Sequence, residues 1–153
     1  MSNETKNLTV VIFSYNRHKF LIRTLKYYSR FKIKILVVDG SESILEDNIL
    51  LNNKIEYYHL TKNYYSRFAY AANKIKTKYV IIGNDDEFLM INTLDVCIDF
   101  LENNSDYSSC IGSTIVINSK YKKNFYQLGY IFHKDMQFKE EGEIDRLRKL
   151  ILK

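Results

Sequence analysis

One ten-residue stretch, residues 79–88, constrains this chain more than any other. An uncharged apolar run at residues 79–82 (Tyr-Val-Ile-Ile) passes through Gly83 and Asn84 into three consecutive carboxylates, Asp85, Asp86 and Glu87. An apolar run of this length predicts a strand buried on both faces, in the middle of a parallel sheet. Acidic groups at the carboxyl end of such a strand stand where open α/β sheets bind ligands. They also repel one another, by about 1 kcal/mol per neighbouring pair in water and about 4 kcal/mol in a surface cleft. A bound cation relieves that repulsion, and hard oxygen donors suit magnesium or manganese. The competing use of Asp85 or Asp86 is to cap a following helix.

The rest of the chain predicts alternating strands and helices. Residues 9–13 are a β-branched apolar run, and residues 18–31 carry Leu21, Ile22, Leu25 and Tyr28 at helical spacing. A second strand over 33–39 ends in Asp-Gly-Ser, a turn signal. A short helix is predicted over 43–52, a strand over 55–60, a helix over 65–76, a helix near 92–102 and a fifth strand over 109–118. Short connections between alternating elements argue for βαβ units, hence a doubly wound, mostly parallel sheet with helices on both faces. The pattern weakens after Asn118, although residues 143–152 have an amphipathic helical period.

At 153 residues the simplest organisation is one domain over 1–153, with 8–117 the clearly patterned part. Hydrophobic residues make up 46% and charged residues 27%, a globular balance. The net charge of +5 comes from basic residues that look scattered rather than blocked, which disfavours a nucleic-acid partner. Cys97 and Cys110 have no metal-ligand spacing and are expected to be reduced, buried thiols. The first residues show no signal-peptide pattern and no run reaches a membrane span, so a cytoplasmic location is expected.

Three strands end in polar residues that βαβ order brings to one sheet edge. These are Ser14, Tyr15, Asn16 and Arg17 after the first, Asp39, Gly40 and Ser41 after the second, and Asn84 to Glu87 after the fourth. Each alone is a common turn, but together they converge on a nucleotide-binding crevice. A nucleotide needs a slot for its base, acceptors for base N–H and ribose hydroxyls, and a cation for its diphosphate. Tyr15 can provide the slot, Asp39 the acceptor, and Asp85 and Asp86 ribose contact and metal ligation. Neither a G-x-G-x-x-G nor a phosphate-binding G-x-x-x-x-G-K-[ST] loop is present, which argues against a dinucleotide enzyme or P-loop NTPase.

The segments LTVVIFSYNR at 8–17, VVDGS at 37–41 and NDDE at 84–87, in this order and spacing, resemble a family-2 glycosyltransferase of the GT-A fold. The resemblance covers roughly residues 8–117, the family's nucleotide-binding half. It implies that Ser14, Tyr15 and Asp39, with Ser41 beside them, hold the base of a nucleotide-diphosphate sugar, a UDP-sugar first among them. It implies a D-x-D-like motif meeting ribose and a metal-bound diphosphate. If Asn84 takes the first position of that motif the metal ligand is Asp86, the preferred register; if Asp85 does, it is Glu87. Arg67 falls where some members carry a base- or phosphate-contacting arginine, its other use being a helix-surface salt bridge. Phe13 replaces a proline common in the first motif.

The resemblance further implies inverting transfer to a hydroxyl acceptor, on a glycan or a lipid-linked carrier, with a carboxylate as general base. The only carboxylates left for that role are Glu140, Glu141, Glu143 and Asp145, in a region that does not align. The chain is therefore expected to be either a fragment, in effect a nucleotide-binding module, or a minimal member completed by a partner. The stripe of Ile144, Leu147, Leu150 and Ile151, rimmed by Arg146, Arg148, Lys149 and Lys153, would pack on the domain's own sheet, a second copy or a membrane surface.

Overall fold

The computed structural model describes residues 4–112, 114–118 and 125–130. The element order is β1 (Glu4–Ser14), α1 (His18–Tyr28), β2 (Lys32–Asp39), a 3-10 turn (Asn48–Leu51), β3 (Ile55–His59), α2 (Tyr64–Lys74), β4 (Tyr79–Asn84), α3 (Ile91–Asn103), β5 (Thr114–Asn118) and β6 (Phe125–Tyr130). The helix expected over 43–52 is only the 3-10 turn. Asp47 stays extended and its carboxylate accepts from the Ile49 N–H at 2.8 Å, so the chain turns instead of continuing a helix. Contacts divide the chain into two compact units, Met1–Asp95 and Val96–Lys153.

In the first unit four parallel strands lie in the order β3-β2-β1-β4. The winding moves from β1 out to β3 and then returns to the other side of β1, so the switch point falls between β1 and β4. The sheet has the expected α/β, Rossmann-like architecture. Register matters most here: Ser14 pairs with Asp39, Asp39 with His59, and Phe13 with Asn84. The carboxyl ends of all four strands are therefore level.

Alternate residues of the strands face opposite sides. Val11, Phe13, Leu36 and Val38 form a core with Ala71 of α2, against which Tyr58, Leu60, Tyr70 and Ile75 pack. Val10, Ile12, Ile35 and Val37, on the other pleat, are fully buried. The strand over 79–84 corrects the expectation of burial on both faces. Among the described residues β4 is the outer strand, and Val80 and Ile82 are 49% and 47% exposed. Its apolar face is uncovered while its inner edge pairs with β1.

In the second unit β5 and β6 form an antiparallel pair, so β5 follows a different pairing from the parallel strands. Both cysteines are free, and Cys110 is exposed rather than buried as the sequence suggested. Burial pushes the half-buried Cys97 thiol up to about 11. The carboxylates at 140–145 and the amphipathic stretch at 143–153 lie outside the described residues.

Candidate functional site

The level strand ends draw the loops after β1, β2 and β3 into one hydrogen-bond network. Asp39 is its centre and has no exposed surface. One carboxylate oxygen accepts from the Ser41 N–H at 2.9 Å and from the Ser41 hydroxyl. The other accepts from the Tyr57 hydroxyl at 2.8 Å and lies 2.9 Å from His18 Nε2. Burial alone would raise the Asp39 pKa, but the bonds from Ser41, Tyr57 and His18 outweigh it and hold the carboxyl below the ordinary carboxylate value.

Ser41 extends the network both ways. Its hydroxyl accepts from the Asn16 N–H at 2.8 Å, and its carbonyl lies 2.7 Å from His59 Nε2. Asn16 adopts φ 53°, a left-handed conformation that asparagine tolerates better than most residues. Its side-chain oxygen accepts from the Glu42 N–H at 3.0 Å, which ties the first loop to the second. Tyr15, half-exposed at the tip of the first loop, is left facing solvent.

Across the switch point, the buried Asp85 accepts from the Ser14 hydroxyl at 2.9 Å and pairs with Arg17 at 3.2 Å. Burial pushes its carboxyl above the ordinary value, against the pull of Ser14 and Arg17. Arg17 also reaches Asp86 at 2.5 Å. Glu87 folds back and accepts from the Asn84 backbone N–H at 3.2 Å and side-chain amide at 2.8 Å. The repulsion anticipated among the three carboxylates is thus relieved from within: Arg17 serves Asp85 and Asp86, and Glu87 turns away. Neither aspartate caps a helix through any of these bonds. Among the described residues no three acidic, histidine or cysteine side chains converge as a metal cage.

Helix α1 holds this acidic loop in place with three hydroxyls on its buried side. Thr24 donates to the Asp85 carbonyl at 2.7 Å and Tyr27 to the Leu89 carbonyl at 2.8 Å. The Tyr28 hydroxyl accepts from the Leu89 N–H at 3.0 Å and donates to the Glu87 carbonyl at 3.5 Å. Burial pushes the Tyr28 phenol up to about 12.

Arg67 is buried, with Nη1 donating to the Ser14 carbonyl at 2.7 Å and, more weakly, to the Val38 carbonyl at 3.5 Å. A helix-surface salt bridge is ruled out: the guanidinium sits under the ends of β1 and β2, and its Nε has no hydrogen-bond partner among the described residues. Gly40 makes that seat possible, since a Cβ there would lie 2.6 Å from Arg67 Cζ. Gly40→Ala is expected to displace the guanidinium and destabilise the fold by about 1–3 kcal/mol, the usual range for overpacking. An unchanged urea midpoint would show that Arg67 yields freely.

Ser14, Asp39, Ser41, Arg67 and Asp85 are thus brought together, with Tyr15 and Asp86 at the open edge. Sequence reasoning missed Arg17 as the counter-ion, His18, Tyr57 and His59 as partners of the second loop, and Thr24 as a clamp. A hydroxyl at position 24, within the apolar stripe of Leu21, Leu25 and Tyr28, was the available signal, because a buried hydroxyl needs a partner.

An open parallel sheet wound outward from β1, with an acidic loop at its switch point, defines a Rossmann-like domain of the GT-A kind. The chain belongs to Glycosyl transferase family 2, which matches residues 9–149. No curated protein matches it.

Proposed function

We propose that this domain binds a nucleotide-diphosphate sugar along the level ends of β1, β2 and β4 and transfers the sugar, with inversion, to a hydroxyl acceptor. The convergence of Ser14, Asp39, Ser41, Arg67 and Asp85 in one network at the switch point carries this reading. Tyr15 flanks the base and Ser14 and Ser41 shape its pocket. Asp39 meets a base N–H in exchange for one of its four donors, and His18, whose side chain is 24% exposed, is the donor that leaves. Asp85 and Arg67 fix the floor beneath ribose and diphosphate.

A divalent cation fits the open edge. Asp86 is 41% exposed and one of its oxygens is unbonded among the described residues. Magnesium sites that include a substrate diphosphate need only one or two protein carboxylates. Asp86 would hold the ion, with Glu87 available only after leaving Asn84, and Arg17 would give up its contact with Asp86. Magnesium or manganese bound there neutralises charge on the departing diphosphate.

Calorimetry with uridine diphosphate tests this. Binding is expected with manganese present and is lost in Asp86→Ala. Equal affinity in the presence of a chelator removes the metal from the reading, and no binding of any nucleoside diphosphate removes the donor site.

A further inference from the structure

Between Glu4 and Asp39 the sequence contains eight lysines and arginines and no carboxylate. The fold concentrates four of them, which corrects the expectation of scattered charge. Lys19, Arg23, Lys26 and Arg30 follow one another at steps of four, three and four residues. That spacing places them along one side of α1 and the turn after it, over about 16 Å at the helical rise. With Ile22, Tyr27 and Phe88 they line an open groove of about 590 Å³. None of the four pairs with a carboxylate among the described residues.

Aromatic rings interleave with the cations. Arg17 lies 4.6 Å from the Phe20 ring centre, and Arg23 stands between Phe20 at 5.1 Å and Phe88 at 5.3 Å. Tyr27 meets Phe88 edge-on at 5.1 Å. Phe20 and Phe88 are 39% and 46% exposed. An apolar ridge beside an uncompensated basic stripe is the composition of a surface that lies on a bilayer.

We propose that this face of α1 docks onto an anionic lipid bilayer, with phosphate headgroups in the groove and Phe20 and Phe88 entering the headgroup boundary. Charge complementarity selects the partner's sign, and the rings select lipid over nucleic acid. Guanidinium groups already lie over both phenylalanine rings, so base stacking, the main apolar contact with single strands, has few free ring faces to use. The surface belongs to α1 and the residue after Glu87, and the proposal does not depend on the donor reading.

Vesicle flotation of the full chain tests it, with phosphatidylcholine vesicles against vesicles containing about 30% phosphatidylserine, a composition that carries a strong negative surface potential. Wild type is expected to float with the anionic vesicles only, and to be released by salt. The exposed double variant R23E/K26E, checked for an unchanged melting temperature, is expected to lose about 25-fold or more in partitioning, about fivefold per lost cation. Phe88→Ser is expected to weaken binding while leaving its salt dependence intact. Any of three vesicle results overturns the proposal: no preference for anionic vesicles, undiminished binding by R23E/K26E, or a loss confined to the comparator R146E/R148E. Binding to single-stranded RNA with none to vesicles overturns it in favour of nucleic acid.

Discussion

Asp39→Ala is expected to lower the unfolding free energy by about 3–5 kcal/mol, the range seen when one member of a buried charged network is removed. The Ser41 N–H and hydroxyl, the Tyr57 hydroxyl and His18 all lose their acceptor at once. Of these, the backbone N–H is the least able to find another partner, since Ser41 is itself fully buried. Urea unfolding measures the loss. A change below about 1 kcal/mol, the size of one ordinary hydrogen bond, would mean the network is not held together by this carboxylate.

The same variant has a pH signature. The folded Asp39 pKa lies below the ordinary 3.8, so its contribution is fully present above that value and is lost as pH falls through the lower folded one. Asp85 behaves oppositely. Its folded pKa is raised, so its contribution is present below 3.8 and is lost as pH rises through the raised value. The gap in stability between wild type and Asp39→Ala should therefore shrink chiefly on the acid side of 3.8, while the opposing slope from Asp85, to which the Asp39 charge is the smallest contributor, persists in both proteins. A gap that stays constant into acid would assign the effect to packing.

Tyr28→Ala is expected to cost a further 3–5 kcal/mol or so, because the whole ring is buried and its removal leaves a cavity. Tyr28→Phe separates the two roles of the side chain. It keeps the ring and removes only the hydroxyl that holds Leu89 and Glu87, at about 1–3 kcal/mol. The expected outcome for Tyr28→Phe is a well-folded protein whose acidic loop is less firmly placed, and so a weaker affinity for uridine diphosphate. If nucleotide affinity follows wild type, the loop is positioned by Thr24 and Tyr27 alone.

The winding of the sheet was legible because periodicity and turn chemistry are local signals. The strands at 33–39 and 55–60 and the helix at 65–76 appear within a few residues of their expected bounds, and the strand at 9–13 lies inside a longer β1. The polar residues at the strand ends followed from βαβ order. What could not be read was anything set by non-local partners. Val80 and Ile82 look like central-strand residues, but only tertiary pairing decides whether β4 has a neighbour on each side. The relief of the acidic cluster by Arg17 required contacts across 68 and 69 positions of sequence, which no spacing rule anticipates. His59 looked ordinary because a single histidine has no motif, yet pairing Asp39 with His59 places it beside Ser41.

That pairing makes the site a matter of counting. Ser14, Asp39 and His59 stand level because three strands reach the edge after the right number of residues. A strand advances about 3.3 Å per residue and reverses its side chains at every step. One residue added within β2 would carry Asp39 beyond the reach of Tyr57 and His18 and turn it to the other face of the sheet. The strands themselves can change their side chains but not their length.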